Sequence, residues 1–186
     1  MTKEKIEIAI FGSAFNPPTL GHLSILKRLT LFDKVLVVPS IAHAWGKEML
    51  PFSIRCQLVD AFICDLKQNN AQAYFGEKEL QNKLATEQHK TLEQINVTTY
   101  DLLSFLQQKY PQANLTFVVG PDNLFNFSKF YKADEIIKQW QILMCPQTLD
   151  IRSTLIRETL LKHGQINDLV SPQVATLIQQ LHLYVN

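Results

Sequence analysis

The stretch Ile6-Glu7-Ile8-Ala9-Ile10-Phe11-Gly12-Ser13-Ala14-Phe15-Asn16-Pro17-Pro18-Thr19-Leu20-Gly21-His22 decides how this chain is read. Apolar residues alternate at Ile6, Ile8 and Ile10, the period of a strand predicted over 6–11. A turn broken by Gly12, Pro17 and Pro18 follows. Gly21-His22 then opens a helix predicted to run to Leu31 with Ile25, Leu26 and Leu29 inward. A strand of this kind delivers its turn to the carboxyl edge of a sheet, where small residues let backbone N–H groups approach a phosphate. The new helix N-terminus adds its partial positive charge, and His22 falls in that first turn, within reach of a phosphoryl oxygen. The spacing is neither that of a P-loop nor that of the Gly-x-Gly-x-x-Gly dinucleotide turn. Taken alone, the stretch also suits an ordinary Gly/Pro turn followed by a capping or surface histidine.

A second stretch, Asp150-Ile151-Arg152-Ser153-Thr154-Leu155-Ile156-Arg157-Glu158, sets two hydroxyls where another helix should begin. Ser153 and Thr154 suit the N-cap and first helical positions, with Leu155, Ile156 and Leu160 as the apolar side. Arg157 lies one turn after Ser153 and can fold back to the same N-terminus. Hydroxyls, free backbone N–H groups and a guanidinium fork at one point form a polyphosphate site. A plain capped helix with a solvent arginine fits the same string.

The remaining chain alternates strand and helix. Val35–Pro39 reads as a strand buried on both faces, Pro51–Leu66 as an amphipathic helix, and Ala73–Phe75 as a short weak strand. The polar 77–94 segment fits either a helix or an excursion over the site. Thr98–Tyr110 is predicted helical with Thr98 as its cap. Leu115–Gly120 and Gln141–Cys145 are strands on either side of the helix Ala133–Trp140, and the helices Ser153–His163 and Pro172–His182 complete the order. This alternation implies an α/β, Rossmann-like, doubly wound parallel sheet with a C-terminal helical segment and ligands at its carboxyl edge.

At 186 residues and 46% hydrophobic content the chain suits a single domain, 1–186, with a sizeable core. A net charge of +1 offers no electrostatic case for nucleic acid or a membrane. No apolar run is long enough to span a bilayer. Cys56, Cys64 and Cys145 are an odd set without CxxC spacing, and Cys56 is expected in the core; all three suit a reducing cytosol. Met1–Lys5 shows no signal-peptide pattern, so a cytoplasmic location is expected.

The Phe11–His22 turn resembles the Gly-x-Phe-x-Pro-x-His/Thr-x-Gly-His motif of the nucleotidyltransferase superfamily, and Ile151–Arg157 resembles its Ile-Ser-Ser-Thr-x-x-Arg motif. His43-Ala44-Trp45-Gly46-Lys47 with Pro51, Phe52 and Arg55, then Val97–Leu102, Phe117–Asp122 and Ser171–Tyr184, are similar in order to the nicotinate/nicotinamide mononucleotide adenylyltransferases. Three departures stand out: Thr19 where many members carry histidine, Arg152 in place of the first serine, and a short 146–150 connection. The resemblance implies transfer of the adenylyl group of ATP to a pyridine mononucleotide, with Mg²⁺ bridging the phosphates mostly through water and no dedicated metal ligands in the protein. It assigns catalysis to His22, Lys47 and Arg157. It assigns ATP and its phosphates to Gly12, Ser13, Phe15, Thr19, Gly120, Asp122, Ser153 and Thr154. The mononucleotide falls to Trp45, Arg55, Thr98 and Phe130. A transferase acting on another phosphorylated acceptor, and a nucleotide-binding protein without turnover, remain alternatives. The preference between nicotinate and nicotinamide is open, as is a homo-oligomer.

Overall fold

The computed structural model describes residues 5–42, 46 and 48–185. Five parallel strands form one sheet: β1 (Glu7–Ser13), β2 (Lys34–Pro39), β3 (Ala71–Ala73), β4 (Asn114–Val119) and β5 (Gln141–Met144), in the order β3-β2-β1-β4-β5. The helices are α1 (Leu20–Leu26), α2 (Phe52–Leu66), α3 (Glu77–Gln88), α4 (Thr99–Lys109), α5 (Pro121–Phe125), α6 (Ala133–Gln139), α7 (Ser153–Leu161) and α8 (Pro172–Gln180). The order reverses between β1 and β4, so their carboxyl ends open a crevice where no crossover helix can lie. Among the described residues no helix is long and apolar enough to cross a membrane.

The strands read as apolar runs because both faces are covered. Ala9, Phe11, Val35 and Val37 turn to one face, against Ile25, Leu26, Leu58, Phe62, Ile156, Val174 and Ile178 of α1, α2, α7 and α8. Ile8, Ile10, Leu36 and Val38 turn to the other, against Leu80, Leu103, Leu106 and Ile136 of α3, α4 and α6. Because successive side chains point to opposite faces, each strand thus feeds both cores.

Local departures from the sequence reading have local causes. α1 stops at Leu26, because Arg28 and Leu29 donate to the carbonyls three residues back and tighten the last turn. Leu29 is buried as expected, whereas Leu31 is 94% exposed. In α2 the buried stripe is Arg55, Leu58, Val59 and Phe62, so Cys56 is only half-buried. The short strand lies two residues earlier than predicted, paired to Val35–Val37 of β2. The polar 77–94 segment is α3 followed by a 3-10 turn, Leu92–Gln94. Only Glu77, Leu80, Gln81 and Ala85 of α3 are buried, which explains its weak periodicity.

Candidate active site

β1 runs out at Ser13, and the chain turns through Ala14–Pro18 before α1 begins. Phe15 adopts a left-handed backbone, φ 47°, with its ring fully buried. That ring stands edge-on to Phe11 at 5.6 Å and lies 4.9 Å from the His22 ring. A non-glycine residue in this region carries strain that the surrounding contacts must overcome. Gly21 has a separate necessity: a Cβ there would collide with the Gln147 side chain and the Ile151 carbonyl. The segment leading into α7 therefore packs directly on the first turn of α1.

His22 is oriented from both sides. The backbone N–H of Thr19 donates to Nδ1 at 3.0 Å, so Nδ1 is unprotonated and the proton resides on Nε2. Nε2 lies 3.2 Å from Ser13 Oγ, at the end of β1. Burial pushes the ring down to about pKa 4, so the imidazole is neutral near pH 7. It holds one fixed, uncharged N–H, on Ser13 Oγ, at the carboxyl end of β1.

Thr19 acts differently from expectation. Its side chain is fully buried, with Oγ1 donating to the Ile151 carbonyl at 2.8 Å and accepting from His22 N at 3.3 Å as the cap of α1. The hydroxyl has one proton, spent on Ile151, so Thr19 orients His22 and holds the α7 segment instead of meeting a phosphate. Thr19 Oγ1 thus sits on the α1 cap and the Ile151 carbonyl, not on the phosphate side expected of it.

α7 brings the second group of residues to the same turn. Arg152, and not Ser153, occupies the N-cap, and its side chain makes no capping bond. Ser153 Oγ donates instead to the Pro17 carbonyl at 2.7 Å. Arg157 folds back as expected: Nη1 donates to the Asn16 carbonyl at 2.7 Å and Nη2 to Thr154 Oγ1 at 3.2 Å. About three of the guanidinium's five donors are left for an anion. Of the predicted apolar side, Ile156 is buried and Leu160 half-buried, but Leu155 is exposed. Gly12, Ser13, Phe15, His22, Ser153, Thr154 and Arg157 thus converge around one turn.

Across the crevice, Gly120 caps α5 after β4, with open space beyond its Cα. Asp122 projects into solvent and pairs with Arg152 at 2.8 Å, while Arg152 also reaches Asp150 at 3.2 Å. The serine-to-arginine departure at 152 therefore ties α5 to the start of α7.

The residues assigned to the mononucleotide divide. Thr98 caps α4, its Oγ1 donating to Asp101 Oδ2 at 2.6 Å while the carboxylate accepts from Thr98 N. Phe130 is half-buried, stacked on Phe127 at 5.0 Å. Trp45 and Lys47 lie outside the described residues. Arg55 requires correction: it is 1% exposed, and its guanidinium donates to the carbonyls of Leu50, Ala14, Ser40 and Ile41. Those four carbonyls gather the β1 turn, the end of β2 and the entry to α2. Buried, with four of its five N–H donors on those carbonyls, Arg55 serves as a structural knot and not as the open mononucleotide contact expected of it.

Three residues of this neighbourhood escaped the sequence reading. Asn16 is 4% exposed; its Oδ1 accepts from Leu50 N and Tyr184 Oη, and its carbonyl accepts from Arg157. Glu77 is buried beside Arg55, and its carboxylate accepts from Ile41 N at 2.6 Å. Desolvation lifts Glu77 to about pKa 7. Tyr184 approaches from beyond α8. Asn16 could have been flagged by its place between Phe15 and Pro17; Glu77 and Tyr184 carry no local signal.

With the geometry in place, comparison with known proteins is direct. The cytidylyltransferase-like family model matches residues 10–159. A crystal structure assigned as a nicotinate-nucleotide adenylyltransferase of Vibrio parahaemolyticus is 44% identical, with a TM-score of 0.82, covering 96% of this chain and 95% of its own. A relative from Caldicellulosiruptor saccharolyticus, assigned the same name, is 27% identical over 212 residues, 96% of this chain and 99% of its own. The nicotinic acid mononucleotide adenylyltransferase of Plasmodium falciparum, complexed with NaAD, is 17% identical and shares the fold, with a TM-score of 0.74 over 96% of this chain and 97% of its own. A family match over most of the sequence coincides with the β1–α1 turn and the α7 clamp: the chain belongs to the cytidylyltransferase-like family and, within it, to the nicotinate-nucleotide adenylyltransferases.

Proposed function

We propose that the crevice between the carboxyl ends of β1 and β4 transfers the adenylyl group of ATP to nicotinate or nicotinamide mononucleotide, with release of pyrophosphate. The 5′-phosphate of the mononucleotide is the nucleophile and is already anionic, so no protein base or covalent nucleophile is required. The protein's work is to align two repelling anions and to stabilise the charge that develops at the α-phosphorus. The observation that carries this reading is the fixed tautomer of His22: Thr19 N–H holds Nδ1, which leaves Nε2–H, resting on Ser13 Oγ at the carboxyl end of β1, as the donor a phosphate oxygen would take over.

In this scheme His22 donates to the α-phosphate. Arg157, with the Thr154 hydroxyl and the backbone N–H groups of Ser153 and the first turn of α7, receives the β- and γ-phosphates as the leaving group. Gly12, Ser13 and Gly120 leave backbone room beside them. Asp122 takes the ribose by exchanging its bond to Arg152, a solvent-exposed pair worth at most about 1 kcal/mol. The mononucleotide lies toward Thr98 and Phe130. Among the described residues no group of three His, Cys, Asp or Glu side chains is placed to hold a metal ion. The donors around the turn suit phosphate oxygens, so Mg²⁺ would arrive on the phosphates of ATP, completed by water, and supply charge neutralisation. The expected setting is the cytoplasm.

Pyrophosphate release measured with ATP and each mononucleotide tests the proposal. Turnover dependent on both ATP and a pyridine mononucleotide is expected. Turnover only with CTP or another phosphorylated acceptor, or ATP binding without turnover, overturns it.

A further inference from the structure

The turn that follows α8 carries two non-glycine residues in the left-handed region, His182 at φ 49° and Tyr184 at φ 61°. Such conformations persist only where the surroundings hold them, and here they deliver one group inward. Leu183 and Tyr184 pack on the core beneath α2 and α8, and the Tyr184 hydroxyl donates to Asn16 Oδ1 at 2.8 Å. Burial holds the phenol well above its ordinary pKa, so it remains a donor at any working pH.

Asn16 is where this contact acquires meaning. Its side-chain oxygen accepts from Tyr184 and, at 3.3 Å, from Leu50 N, which fixes the amide. Its backbone carbonyl, on the same nearly buried residue, accepts the 2.7 Å bond from Arg157 Nη1. The peptide that seats the Arg157 fork is therefore itself held by a hydroxyl 168 positions further along the chain. Asn16 also follows Phe15, whose left-handed backbone needs an external hold.

We propose that Tyr184 is a positioning residue for the ATP side of the site: through Asn16 it sets the carbonyl on which Arg157 rests and so aims the guanidinium at the β- and γ-phosphates. This rests on the reading of Arg157 as the phosphate clamp. In this role Tyr184 acts through Asn16 alone, and Phe130, on the mononucleotide side, packs in the core on the other face of the sheet.

The test uses the full chain with steady-state kinetics varied separately in ATP and mononucleotide. Tyr184→Phe removes one oxygen and leaves the ring. It should raise KM for ATP about five-fold, the cost of one neutral hydrogen bond, with KM for the mononucleotide unchanged. Arg157→Lys should also raise KM for ATP, and adding Tyr184→Phe to it should cost little more. Equal changes for both substrates, no change for either, or full additivity of the two variants would overturn the positioning role. If Arg157→Lys alone leaves KM for ATP unchanged, the clamp reading fails first. Circular dichroism and thermal melts accompany each variant. Should Tyr184→Phe not fold, Asn16→Asp supplies the second measurement: it keeps the acceptor oxygen and should preserve the KM for ATP relative to Asn16→Ala.

Discussion

Replacing His22 by alanine removes a fixed, neutral N–H donor at the β1–α1 turn, and the structure sets the size and character of the loss. Thr19 N–H occupies Nδ1, so the ring offers only Nε2–H, and its pKa of about 4 keeps that donor neutral at pH 7. Preorganised donors of this kind contribute about 2.7–4 kcal/mol to the transition state, so kcat should fall by roughly 10²–10³-fold while both KM values change much less. The protonation state is open to direct observation by ¹H–¹⁵N NMR of the imidazole, assigned by loss of its cross-peaks in His22→Ala. The Nε2–H tautomer should persist from pH 8 to below pH 5, because a proton on Nδ1 would face the Thr19 N–H and remove that bond. A His22→Ala variant that folds and keeps kcat within a few-fold of the parent would refute the catalytic role. A ring titrating near 6.5, or protonated on Nδ1, would refute the orientation.

Thr19→Val removes the cap of α1 and leaves the Ile151 carbonyl with only the longer bond from Gln147 Nε2 at 3.4 Å. Denaturant unfolding should show a loss of about 1–3 kcal/mol, and kcat should drop with the orientation of His22 while ATP affinity is nearly retained; unchanged stability would mean the hydroxyl is not the tie described. Glu77 and His22 impose opposite pH dependences on stability. The folded pKa of Glu77 is raised from 4.5 to about 7, so its contribution is complete below pH 4.5 and is lost as pH rises through 7. His22 is depressed from 6.5 to about 4, so its contribution is complete above pH 6.5 and is lost as pH falls toward 4. Glu77→Gln keeps an acceptor for Ile41 N and has no charge to bury, so its stability relative to the parent should rise as pH climbs from 4.5 to 8. That gain should fade toward pH 4.5, where the acid loss due to His22 is left uncompensated; a pH-independent difference in denaturation midpoints would contradict this.

Strand and helix alternation, the switch-point turn at Phe11–His22 and the fold-back of Arg157 onto the head of α7 were all legible in the residues, because each is set by local period, turn chemistry or a spacing of one helical turn. Neither the alternating Ile6, Ile8 and Ile10 before β1's end nor the continuous apolar run of β2 depends on the partner strand, so the sheet could be read before its order was known. What a polar side chain faces is another matter. Thr19 and Arg55 belong to motif positions and have the chemistry to bind phosphate, yet both are turned inward, onto Ile151 and onto four backbone carbonyls. The decision lies in which carbonyls the distant segments leave unpaired: once the segment leading into α7 packs on Gly21, and Ser40, Ile41 and Leu50 come to lie beside the β1 turn, a buried acceptor must be satisfied, and the nearest hydroxyl or guanidinium is drawn to it. The same holds for Tyr184 and Asn16, joined across 168 positions. A chain's local pattern specifies which groups are available, and only tertiary packing specifies which of them are consumed in holding the site and which are left to work in it.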